Sequence, residues 1–73
     1  MAEHSVVLFR STAHAMRAEK VLERAGLRIK MIPTPRQLSS DCGIALRCDR
    51  TDADRVESAL RENKVPTNDI YAI

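Results

Sequence analysis

Apolar residues in this chain switch between a repeat of two and a repeat near 3.6, and the order of the switches leaves few architectures open. Ser5-Val6-Val7-Leu8-Phe9-Arg10 is short, β-branched and aromatic, and it stops at the polar pair Ser11-Thr12, as a buried first strand would. From Ala13 to Ala25 the apolar positions Ala18, Val21, Leu22 and Ala25 recur at helical spacing, and charged residues fill the other face. Ser11 or Thr12 caps this helix and Gly26 ends it. Leu27 to Ile32 alternates apolar with basic, placing Leu27, Ile29 and Met31 on one face, with Arg28 and Lys30 outward as on an edge strand, and Pro33 stops it. Gly43 to Asp49 repeats every second residue, with Ile44, Leu46 and Cys48 on one face and Ala45, Arg47 and Asp49 on the other. Thr51-Asp52-Ala53-Asp54 has the form of a capping box ahead of a helix striped by Val56, Ala59 and Leu60, and Val65-Pro66 marks its exit. The last stretch, Asp69 to Ile73, is again strand-like.

The resulting order, βαββαβ, predicts an α+β ferredoxin-like sandwich: a four-stranded antiparallel sheet with two helices on one face. A chain of 73 residues has room for one core, so residues 1–73 read as a single domain. The apolar fraction of 44% and charged fraction of 30% are those of a globular protein, and no apolar run approaches the ~18 residues of a spanning helix. With no signal peptide visible at the start, the expected location is the cytoplasm. A net charge of +2, with both signs mixed along the chain, argues against nucleic acid and membrane as partners. In a reducing compartment the two cysteines read as thiols.

Cys42 is the candidate reactive centre. It ends the polar stretch Thr34 to Cys42, which is longer than a hairpin needs. In the predicted topology the first two strands run the same way, so this loop shares an end of the sheet with Thr12 and His14 at the start of the first helix. The partial positive charge of a helix N-terminus favours a thiolate. Arg36 and Arg47 would add positive charge, while the Ser39 and Ser40 hydroxyls and the Gly43 amide can donate hydrogen bonds; the Asp41 carboxylate opposes them. Cys48 continues the apolar face of Ile44 and Leu46 and is expected to be buried and inert. A bridge between the two is disfavoured, because six strand residues span about 20 Å and bridged Cα atoms lie within about 7 Å.

The string Pro33-Thr34-Pro35-Arg36-Gln37-Leu38-Ser39-Ser40-Asp41-Cys42-Gly43-Ile44-Ala45-Leu46-Arg47 resembles the core motif of the selenium/sulfur carrier-like family. Phe9-Arg10-Ser11-Thr12, with Ala15, Ala18-Glu19-Lys20 and Leu22, is similar to that family's first strand and helix, so the resemblance covers nearly the whole chain. It implies a carrier that holds sulfur or selenium covalently on Cys42, with no other cofactor, and exchanges it with donor and acceptor proteins. Sulfur and selenium are not distinguished by these residues.

Other functions fit less well. A metal chaperone wants paired soft ligands, typically C-x-x-C, which the chain lacks, so no metal site is expected. An RNA-recognition module needs aromatics on its central strands, and the chain has one Phe and one Tyr. A standalone enzyme would need a paired carboxylate or a cysteine-histidine-acid set, which the sequence does not support, and the chain has little volume for a pocket. The rival reading is a non-catalytic module that binds a small anion at the loop and helix start, or a protein along a sheet edge. Open edges also leave room for a homodimer.

Overall fold

The computed structural model describes residues 3–38 and 43–72. In chain order the elements are β1 (His4–Leu8), α1 (Thr12–Arg24), β2 (Ile29–Pro33), β3 (Ile44–Asp49), a 3-10 turn (Arg50–Asp52), α2 (Ala53–Glu62) and β4 (Asp69–Ala72). The strands form one sheet in the order β2-β3-β1-β4, antiparallel at every pairing. Both helices cover one face, as the βαββαβ order predicts. Cα extents of 29 × 29 × 16 Å suit two layers of secondary structure.

Strand parity sorts the two faces. Val7 pairs with Leu46, and Cys48 pairs with Ser5 and with Ile29. These residues point to the helices, where Phe9, Ala15, Ala18, Leu22, Val56, Leu60 and Val65 complete the main core. The alternate parity places Val6, Leu8 and Ala45 on the outer face, where they too are fully buried and meet Ile32 and Leu38. The continuous run Val6 to Phe9 reflects this: a central strand buried on both sides has no polar alternation.

The helix ends explain themselves locally. Ser11 has extended backbone angles, and its side chain accepts a hydrogen bond from the His14 N–H, so the cap is Ser11. At the other end Gly26 adopts φ +76°, its N–H donates to the Glu23 carbonyl, and the Leu27 N–H donates to the Leu22 carbonyl. These two bonds close a Schellman motif. α2 ends the same way, with Lys64 at φ 56° donating to Arg61 and Val65 donating to Leu60, but without a glycine. The strain of a left-handed lysine is accepted because Val65 thereby reaches the core beside Leu60. Lys64→Gly is therefore expected to stabilise the fold by about 0.5–1 kcal/mol, read as a higher urea midpoint at unchanged slope.

Three details differ from the sequence reading. The capping box at Thr51 to Asp54 does not form: the Arg50 N–H donates to the Glu3 carbonyl, the chain makes a 3-10 turn, and Asp52 makes no side-chain cap. On α1 the buried stripe is Ala15, Ala18 and Leu22, with Val21 half-buried and Ala25 exposed. Pro33 is the last residue of β2, at the end of an edge strand where its missing N–H does no harm. No helix among the described residues is long and apolar enough to cross a membrane.

Candidate functional site

β1 and β2 both run antiparallel to β3, so they are parallel to each other and finish at the same end of the sheet. At that end α1 begins and the β2–β3 loop leaves and returns. The ladder closes with the Thr34 N–H donating to the Gly43 carbonyl at 3.0 Å. β4 starts there as well: the Asn68 N–H donates to the Leu8 carbonyl at 2.7 Å, and Arg10 Nε donates to Asn68 Oδ1 at 3.4 Å.

The loop opens with a turn in which the Leu38 N–H donates to the Pro35 carbonyl at 3.0 Å. Leu38 then packs on Val6, Leu8 and Ala45, on the face away from the helices. Arg36, inside this turn, is exposed. The first half of the loop and the start of α1 thus share an end of the sheet, but the loop turns toward the outer face while α1 lies on the inner one. The predicted site residues Ser39, Ser40 and Cys42 lie outside the described residues, as does the opposing Asp41.

Thr12 is the first residue of α1 and is exposed. The first turn of that helix carries no acidic residue, so nothing there offsets the positive end of its dipole. His14 uses its backbone N–H on the Ser11 cap, and its Nδ1 is buried with no hydrogen-bond partner among the described residues. Three residues on, Arg17 donates to the Asn63 carbonyl at the end of α2. His14 shares that flank of the helix, which puts it on the side facing α2.

Arg47 does not join this group. It sits on the outer face of β3 between Val6 and Lys30, four residues past Gly43 or about 13 Å along the strand. Gly43 contributes its carbonyl to the loop base. Leu38 is the residue that sequence reasoning missed; a lone large aliphatic side chain in a polar loop was the available signal.

Cys48 is 3% exposed, in the main core. Burial pushes its thiol above the ordinary value, and the Asp52 and Asp49 carboxylates add to the effect, against a backbone hydrogen bond from Ser5. It is a poor nucleophile on both counts. An open groove of about 420 Å³ between Ala25 to Leu27 and α2 is lined by neither cysteine nor histidine. Among the described residues no group of three or more His, Cys, Asp or Glu could hold a metal ion.

Residues 4–72 match the model of a protein family described as "Putative Se/S carrier protein-like". Comparison with curated proteins and with solved structures gave no match.

Proposed function

Because the chain belongs to this Se/S carrier protein-like family, whose membership supports a general carrier role, we propose that it carries sulfane sulfur or selenium on Cys42. The observation that carries the reading is an elimination. Of the two cysteines, Cys48 is buried in the core with a raised pKa, which supports Cys42, by elimination, as the exchanging thiol.

In the loading step the Cys42 thiolate attacks the outer sulfur of a donor persulfide. A new S–S bond forms on Cys42, the donor's S–S bond breaks, and the donor leaves as a thiolate, with no net oxidation. Delivery reverses the roles: an acceptor thiolate attacks the outer sulfur and Cys42 leaves. The same electron count holds for selenium. Arg36 in the loop and the start of α1, whose first turn carries no acidic residue, support the anionic forms at this end of the sheet, against Asp41 in the loop sequence and Asp69 opposite Leu8.

The test is loading with a low-molecular-weight persulfide or perselenide donor, read by intact mass. The wild type and Cys48→Ala should each gain one sulfur or selenium that a thiol reductant removes, while Cys42→Ala gains none. Loading that persists in Cys42→Ala would refute the assignment.

A further inference from the structure

On the outer face of the sheet Lys30 stands directly across from Arg47 in the β2–β3 ladder. Like charges in that position weaken an antiparallel pair. Arg28, just before β2, lines the same hollow as Lys30 and Arg47. Among the described residues the ion pair is Arg61 to Glu57 on α2, and none is made by Arg28, Lys30 or Arg47. With His4 and Asp49 these cations border a solvent-open hollow of about 140 Å³.

The position of this row is as informative as its charge. Arg47 is paired on its other side with Val6, a member of the outer-face cluster of Val6, Leu8 and Ala45 against which Leu38 packs. The row therefore lies on the outer face toward which Leu38 turns, about 13 Å along β3 from the loop base. β2 is an edge strand, so nothing of the sheet screens the row from that side.

We propose that Arg28, Lys30 and Arg47 form a docking surface for an acidic segment of the protein that exchanges sulfur or selenium with this chain. The partner's purpose rests on the carrier reading; the surface rests on the charge pattern alone. Carboxylates from such a segment would neutralise the like-charge pair and hold the partner on the face toward which Leu38 turns. A single-stranded nucleic acid fits less well, because Tyr71 is the one aromatic on this face to stack on a base.

The probes are a short fluorescein-labelled peptide of alternating Glu and Ser and a labelled single-stranded DNA of equal length, followed by anisotropy at low salt. Lys30→Glu should weaken peptide binding by about fivefold and raise Tm, because it turns the like-charge pair into an opposite-charge one. Lys20→Glu, the same charge change on the solvent side of α1, should bind the peptide as the wild type does. The proposal is overturned by equal losses in Lys20→Glu and Lys30→Glu, by no binding of the peptide to the wild type, or by tighter binding of the DNA through Lys30. A dimer that Lys30→Glu dissociates in sedimentation would assign the row to a second copy of the chain and overturn it too. Loading of Cys42 is measured on the same proteins. Unchanged loading in Lys30→Glu separates docking from carrying; failure of the wild type to load removes the carrier reading and leaves the peptide result standing.

Discussion

Iodoacetamide applied to the native protein is expected to label Cys42 at least about a hundredfold faster than Cys48, with each site followed by peptide mass. Cys48 is 3% exposed, between β1 and β2 in the sheet and against the helices, so a reagent reaches it only when the core opens. Its thiol is also pushed up by burial and by Asp52 and Asp49. The linkage follows in sign. In the unfolded chain this thiol ionises near its ordinary value, while the folded state holds the proton to higher pH. Between those two values the folded state binds more protons, so its stability falls as pH rises. Below the ordinary thiol value the contribution is complete. Wild type should therefore lose stability through this alkaline window more steeply than Cys48→Ala does, in urea titrations at successive pH values. Labelling in urea should make the two cysteines equivalent. Comparable native rates at Cys42 and Cys48 would remove the elimination on which the carrier assignment stands.

Cys48 was legible in the sequence because parity is a strict rule in a strand. Once Ile44 and Leu46 are assigned to the core, the residue two further on goes with them. Gly26 was legible for a similar reason: a left-handed position has one preferred occupant. Lys64 takes the same backbone conformation at the end of α2, yet lysine carries no such signal, and the motif is set by Val65 reaching the core. Thr51 to Asp54 shows the opposite failure. A good capping pattern is present, but the backbone bond from Arg50 to Glu3 ties the chain to the start of β1 first, and the helix begins after it. A local side-chain preference of this kind is worth about 1 kcal/mol, so tertiary pairing readily overrides it.

For the candidate site, the shared end of the sheet followed from topology, since parallel strands separated by one antiparallel neighbour must finish together. The direction of the loop did not. Leu38 decides it by packing on Val6, Leu8 and Ala45, and no rule of spacing tells which face of a sheet a single loop leucine will choose. The assignment of Arg47 to the site suffered for the same reason: its outward parity was correct, but outward is the face of Lys30 and lies some distance along β3 from the loop base.

Phe9→Ala is expected to cost about 3–5 kcal/mol. Aromatic residues make up 3% of the chain, and Phe9 heads its fully buried side chains by volume. A chain of 73 residues has a total stability of roughly 4–11 kcal/mol, so this one truncation removes a large share and leaves a detectable unfolded population. Repacking cannot recover much, because Ala15 and Ala18, which share the core with Phe9, are too short to fill the space and sit on a helix fixed at both ends. The loss also reaches the site. Phe9 lies between the end of β1 and the Ser11 cap, so the cavity opens beneath the first turn of α1. Urea unfolding should show a lowered midpoint at unchanged slope. Hydrogen exchange should show the first turn of α1 losing protection beyond the global change, while β3 follows the global change alone. A loss below about 1 kcal/mol would mean that the helix layer closes over the gap, and that the start of α1 is held by its cap and not by the core beneath it.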